Sequence, residues 1–284
     1  MKIVECPRDA MQGIKEWIPT QTKIDYINAI LQVGFDTVDF GSFVSPKAIP
    51  QLKDTAEVLD KLELDNTKSK LLAIVANRRG AEDACNFEEI NYLGFPFSIS
   101  EQFQQRNTNS SIEESLGRVE EIKGLCDQHR KKLVIYISMG FGNPYGEPWS
   151  PEIAASWSTR LANDLGIEIL ALSDTIGVSN PDNIHHLFST LILELPQVEF
   201  GAHLHSTPTT RFEKIESAYN AGCRRMDSAI KGYGGCPMAT DDLTGNMATE
   251  EVLSFAEGIN LDLELDALKF EEAKLLSTKV FLDH

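Results

Sequence analysis

Short apolar runs rich in β-branched residues alternate with amphipathic stretches along the whole chain. The runs that read as strands are residues 2–5, 37–40, 70–76, 89–94, 133–138, 168–173, 199–205 and 225–230. Between them the spacing of apolar residues predicts helices such as 22–33, 112–129, 151–165, 183–195 and 210–221. Continuous apolar strands separated by helices indicate parallel strands buried on both faces. Eight such units in 284 residues point to an α/β fold, a (β/α)8 barrel, since these barrels commonly fill roughly 250 residues as one domain. Periodicity does not show closure, so a doubly wound open sheet stands as the alternative. Its phosphate-binding glycine loop is missing, because Pro7-Arg8-Asp9 follows the first strand.

Punctuation supports the segmentation. Ser150-Pro151-Glu152 and Asn180-Pro181-Asp182 each place a capping residue before a proline at the first helical position. Gly34, Gly166 and Gly222 follow helical runs, where a left-handed cap is easiest for glycine. No Gly/Ser or Pro-rich linker divides the chain. Residues 1–284 therefore read as a single barrel domain with a small helical extension after about residue 260.

Lys+Arg 26 against Asp+Glu 43 leaves a net charge of −17, which disfavours nucleic acid and anionic membrane as partners. No run of about 18 apolar residues occurs to span a bilayer. Residues 1–6 enter a strand at once, with no pattern of a secretory or organellar leader. Five scattered cysteines without C-x-x-C spacing fit reduced thiols in a cytoplasm better than disulfides or a thiolate zinc site.

Polar residues collect where the strands end, which is where barrel active sites sit. Arg8 and Asp9 follow the first strand, Asp39 and then residues 42–47 the second, and Asp174 the sixth. The seventh ends His203-Leu204-His205, and Gly245-Asn246 follows the eighth. Two histidines two apart on a strand face the same side. In a closed barrel the eighth strand lies beside the seventh and the first, so Asp9, His203, His205 and Asn246 converge. Two imidazoles, a carboxylate and an amide oxygen suit Mg²⁺ or Mn²⁺, with Zn²⁺ also compatible. Residues 232–237, Gly-Tyr-Gly-Gly-Cys-Pro, present a thiol on a loop free enough to close over a ligand and exclude water.

Taken together these stretches resemble the 3-hydroxy-3-methylglutaryl-CoA lyases, within the metal-dependent TIM-barrel lyases and Claisen synthases. The resemblance runs from residue 2 to about residue 279. Its motifs are residues 2–9 (Lys-Ile-Val-Glu-Cys-Pro-Arg-Asp), 42–47 (Ser-Phe-Val-Ser-Pro-Lys), 109–115 (Asn-Ser-Ser-Ile-Glu-Glu-Ser), 173–177 (Ser-Asp-Thr-Ile-Gly), 203–205, 234–237 and 245–250 (Gly-Asn-Met-Ala-Thr-Glu). Arg-Asp and H-x-H belong to the wider superfamily, whereas Ser-Phe-Val-Ser-Pro-Lys and Gly-Gly-Cys-Pro are much more specific to the lyases.

The resemblance implies a metal at Asp9, His203, His205 and Asn246, and cleavage of an acyl-CoA to acetyl-CoA and acetoacetate. It implies that Arg8 stabilises enolate charge, that Cys236 delivers a proton to the acetyl-CoA carbanion, and that Asp174 with His203 handles the C3 hydroxyl proton. Asn107 and Ser111 match positions near the CoA moiety, and Lys15, Lys47, Arg106 and Lys231 are cations able to meet its phosphates. Paired subunits, hence a homodimer or larger homo-oligomer, are also implied, and leucine degradation is one pathway such a lyase would serve. The sequence departs from the family pattern in places: Asp39 replaces a usual Glu, Ser206 a usual Asp, and Met238 a usual aromatic. These departures keep two other readings open: a lyase or aldolase for another 3-hydroxyacyl-CoA or a 2-oxo acid, and a barrel without catalysis.

Overall fold

The computed structural model describes residues 1–235 and 244–281. Eight parallel strands form its centre: β1 (Lys2–Glu5), β2 (Thr37–Ser42), β3 (Lys70–Ile74), β4 (Ile90–Ser98), β5 (Lys132–Ser138), β6 (Ile169–Asp174), β7 (Glu199–Ser206) and β8 (Arg225–Ser228). Each pairs with its neighbour in sequence, and β8 pairs with β1 in the register Val4↔Asp227. The ring is closed and leaves no edge, so the open-sheet alternative falls. β2 and β6 are buried at every position, as strands covered on both faces must be.

The intervening helices are α1 (Pro7–Gln12), α2 (Thr20–Val33), α3 (Thr55–Leu59), α4 (Arg78–Cys85), α5 (Glu101–Thr108), α6 (Ile112–Gln128), α7 (Pro151–Leu165), α8 (Pro181–Glu194) and α9 (Arg211–Asn220). After β8 come a short strand β9 (Gly245–Asn246), α10 (Thr249–Gly258) and α11 (Ala267–Phe281). Asn180 caps α8 in a reciprocal box with Asn183, and Pro181 opens the helix. Gly34 and Gly166 end α2 and α7 in the left-handed conformation, with φ of 90° and 64°. α11 lies against α2 and the turn that follows it through edge-on ring contacts, Tyr26 on Phe281 and Phe35 on Phe270.

Among the strand boundaries that differ from the sequence reading, three have a clear cause in the structure. β2 runs on to Ser42, because a register shift between Asp39 and Gly41 lets pairing with β3 continue. Asp39 lies inside the strand, three residues before its end. β4 continues through Pro96 to Ser98, one long strand against β5. β8 stops at Ser228: the Ile230 N–H donates to the Glu5 carboxylate (2.8 Å), and the chain turns into a short 3-10 segment over Ile230–Gly232.

Candidate active site

Pro7 opens α1 directly after β1, so Arg8 and Asp9 sit on the first turn of a short helix at the mouth of the barrel. The Arg8 guanidinium forks onto Asp39, with Nε–Oδ2 at 3.0 Å and Nη2–Oδ2 at 2.5 Å. Its Nη1 donates to Asp9 Oδ1 and to Gln12 Oε1, both at 2.9 Å. Gln12 Nε2 returns a bond to Asp9 Oδ1 at 2.8 Å, so helix positions three and four apart hold the acid and the base in one frame. From the other side Asn246 Nδ2 donates to Asp9 Oδ2 (2.7 Å) and to the Tyr233 carbonyl (2.8 Å).

The pairing of β9 with β7 sets His205 opposite Asn246. Asp9, His203 and His205 each offer a ligand atom, all within 4.8 Å of one another. His203 Nδ1 donates to Asp227 Oδ2 (3.1 Å) and His205 Nδ1 to the Thr175 carbonyl (3.0 Å). Both tautomers are thereby fixed with Nε2 as the free nitrogen, the arrangement that orients a metal ligand. His205 Nε2 is buried without a hydrogen-bond partner among the described residues. A buried lone pair facing a carboxylate and a second imidazole fits a divalent cation. The missing acid at Ser206 leaves neither histidine unoriented, because Asp227 and the Thr175 carbonyl do that work; Ser206 instead reaches the Met247 sulfur.

Electrostatics separate the acids. Burial opposes the Asp9 charge, but Arg8 and then His203 and His205 outweigh it and bring the carboxyl down to about 2. Burial dominates at Asp39 and lifts it to about 6 despite Arg8. Burial also disfavours a charged His203, yet its bond to Asp227 and that carboxylate's charge leave it raised. Burial and the neighbouring His203 lower His205 to about 4, so it is the neutral imidazole a metal needs.

Arg8, Asp9, His203 and His205 line one wall of a cavity of about 330 Å³ at the C-terminal ends of the strands. Val44, Ile49 and Phe103 supply apolar walls, and Asn107 and Thr108 reach it from α5. A larger groove of about 590 Å³ between α7 and α8 contains none of these groups. Gly234 approaches Asp9 so closely that a Cβ would lie 2.9 Å from its carbonyl oxygen and 2.7 Å from Ala10 Cα. Glycine is needed there for the loop to reach the site.

Two expected site residues lie away from the cavity lining. Asp174 does not line the cavity: its carboxylate accepts from Lys214 Nζ (2.8 Å), Ser179 Oγ (2.5 Å) and the backbone N–H groups of Val178 and Ser179. Lys214 Nζ also donates to the His205 carbonyl (2.8 Å), so Asp174 braces the end of β7 from behind. Ser111 is the cap of α6, in a reciprocal box with Glu114, and its hydroxyl is committed there. Lys47 is exposed on the β2–α3 loop beside cavity-lining Val44, Ala48 and Ile49. Of the other cations, Lys15 is exposed, Arg106 lies over the Tyr145 ring, and Lys231 is tied to Thr278 on α11. Cys236 and Met238 lie outside the described residues.

Sequence reasoning missed Gln12, Asp227, Lys214 and Tyr136. A signal for Asp227 was present: Arg225 and Asp227 stand two apart on one strand and so share a face, the mark of polar groups facing a barrel interior.

A family profile described as HMGL-like matches residues 2–276. The cytoplasmic 3-hydroxy-3-methylglutaryl-CoA lyase of Rattus norvegicus is 33% identical over 276 residues, 96% of this chain and 79% of that protein. A Pseudomonas aeruginosa protein named 3-hydroxy-3-isohexenylglutaryl-CoA/hydroxy-methylglutaryl-CoA lyase is 32% identical over 267 residues, 94% of this chain and 88% of that one. The solved structure of an HMG-CoA lyase from Acinetobacter baumannii, in complex with coenzyme A and 3-methylmalate, aligns with a TM-score of 0.89 at 29% identity, covering 100% of this chain and 91% of that one. From the first strand to the last helix, the barrel and its sequence place this chain in the HMGL-like family.

Proposed function

We propose that this protein is a divalent-cation-dependent carbon–carbon lyase that cleaves 3-hydroxy-3-methylglutaryl-CoA to acetyl-CoA and acetoacetate. The observation that carries the reading is the convergence of Asp9, His203 and His205 beside Arg8 on one wall of the cavity. The reaction removes the C3 hydroxyl proton, breaks the C2–C3 bond to leave the acetoacetate ketone, and protonates the acetyl-CoA enolate at C2. Asp9, His203 and His205, with the Asn246 side chain bound to Asp9, would hold the cation, which when bound polarises the hydroxyl and orients the acyl group. Arg8 stays charged at any working pH, and its fork onto Asp39 aims Nη1 along the Asp9 side of the cavity, where enolate charge is stabilised. His203 is the proposed proton-handling group at the cavity; with Nε2 on the cation, the proton it can move is the one Nδ1 shares with Asp227. Cys236 is the proposed proton donor to the enolate, and Asn107 and Lys47 are the proposed contacts to CoA.

Finer assignments accompany this reading. Mg²⁺ or Mn²⁺ suits a mixed oxygen and nitrogen donor set, with Zn²⁺ as the competitor that affinity order favours. The proposed setting is the cytoplasm, in keeping with the name of the rat relative, and leucine degradation is the proposed pathway. No helix among the described residues is long and apolar enough to cross a membrane. The proposed catalytic unit is the whole barrel with α11 as its extension, assembled as a homodimer or larger. A second reading, a lyase for a bulkier 3-hydroxyacyl-CoA, is favoured by the name of the Pseudomonas relative.

The test is acetoacetate release from 3-hydroxy-3-methylglutaryl-CoA with Mg²⁺ or Mn²⁺ and after exhaustive chelation. Metal-dependent turnover at roughly 1–10³ s⁻¹ supports the lyase; turnover that survives chelation refutes the metal role. Cys236→Ala lowers turnover and leaves metal affinity within about twofold.

A further inference from the structure

Tyr136 on β5 belongs to neither the cation cluster nor the Arg8 clamp, yet it lines the same cavity. Its ring stands edge-on to His203, with centroids 5.4 Å apart at 79°. Small residues on neighbouring strands make room for it. Ala171 of β6 pairs directly with Tyr136, and Gly201 of β7 pairs with Ala171. At Gly94 of β4 a Cβ would lie 3.0 Å from Tyr136 Cε2. One large ring set among small residues from other strands is how a narrow barrel interior is filled. Leu72, Val134 and Ile169 pack in the same cluster, Val134 and Ile169 one inward-facing position nearer the N-terminal ends of their strands. The Tyr136 ring, together with Ile74 of the same cluster, thus lines the cavity from the packed interior of the barrel.

Its hydroxyl is buried and has no hydrogen-bond partner among the described residues. A buried tyrosine hydroxyl ordinarily finds one. Burial also pushes the phenol well above its usual range, so it remains a donor at any working pH.

We propose that Tyr136 is the specificity-determining residue of the acyl site: its ring limits the substituent that fits at C3, and its hydroxyl donates to an oxygen of the bound acyl group. This rests on the lyase reading above. The hydroxyl selects for an oxygen-bearing acyl chain, and the ring closes the volume a longer C3 alkyl or alkenyl group needs.

The experiment measures kcat and KM for 3-hydroxy-3-methylglutaryl-CoA and for a homologue with a longer C3 alkyl group, using wild type, Tyr136→Phe and Tyr136→Leu. Tyr136→Phe keeps the ring, so kcat/KM falls about tenfold, chiefly through KM, with the ratio between substrates unchanged. Tyr136→Leu opens the floor and shifts the ratio at least about tenfold toward the longer substrate, the scale on which apolar pockets discriminate. A ratio that stays within about twofold in Tyr136→Leu overturns the size limit, and an unaltered KM in Tyr136→Phe overturns the hydroxyl contact. A purely structural tyrosine would lower both substrates' rates together. Calorimetric Kd values for the two thioesters give the same ratio without turnover. A wild-type protein that cleaves neither therefore refutes the lyase reading, while the size limit is still decided.

Discussion

Glu5 ends β1 with its whole side chain inside the barrel wall. Its Oε1 accepts from the Ile230 N–H (2.8 Å) and its Oε2 from the Thr249 hydroxyl (2.6 Å), whose oxygen lies 3.0 Å from Ser228 Oγ and accepts from that hydroxyl. Burial outweighs both bonds to the carboxylate, and with Glu250 nearby the carboxyl rises from 4.5 to about 8. Between those two pH values the native protein keeps a proton here that the unfolded chain has released. The contribution of Glu5 to stability is therefore full below about pH 4.5, falls as pH rises through the window, and levels off above about pH 8. At about 1.4 kcal/mol per pH unit the fall totals roughly 5 kcal/mol. Glu5→Gln keeps the shape, an acceptor for Ile230 and a donor toward Thr249, but removes the titration. Urea unfolding at pH 5, 6.5 and 8 checks it. The stability of wild type relative to Glu5→Gln should drop by about 3–5 kcal/mol across that range. Taking the difference cancels groups shared by both proteins, such as His205, whose pKa of about 4 makes stability rise with pH over part of the same range. Parallel curves, within about 0.5 kcal/mol, would refute the buried-charge argument.

Two further outcomes follow from the same geometry. Asp227→Asn removes the carboxylate behind His203 and should weaken Mn²⁺ binding by about 10–100-fold in calorimetry; unchanged affinity would mean that Asp227 is only a packing residue. Lys214→Met leaves the Asp174 carboxylate buried without its cation and should destabilise the fold by about 3–5 kcal/mol, part of which Asp174→Asn restores in the double variant; a cost under about 1 kcal/mol would show that the ion pair does not brace β7.

The barrel was legible because each strand carries its own signal. Apolar runs, proline at the first position of α7 and α8, and glycine after α2 and α7 are local features that survive without knowledge of the partners. The candidate metal site was legible for a related reason. Asp9 and the H-x-H pair stand at strand ends whose neighbours follow from closure alone. The fate of Asp174 was not legible. Its neighbour Ser173 faces the cavity and the chain alternates, so whether Asp174 serves chemistry or scaffold depended on Lys214, forty residues away on α9. The same holds for Ser111, whose pattern with Glu114 reads equally as a capping box or a ligand contact until α6 is seen to begin there.

The sequence by itself determined the periodicities, the alternation of strand and helix and the residue types able to hold a cation. It did so because those depend on side-chain direction along a single element. Only the tertiary structure decided which buried polar atoms are satisfied. It paired His203 with Asp227, gave Arg8 to Asp39 and Asp9, and left His205 Nε2 and the Tyr136 hydroxyl without partners among the described residues. Hydrogen-bond satisfaction is a property of atoms brought together from distant segments under exclusion of water, and no local pattern encodes it.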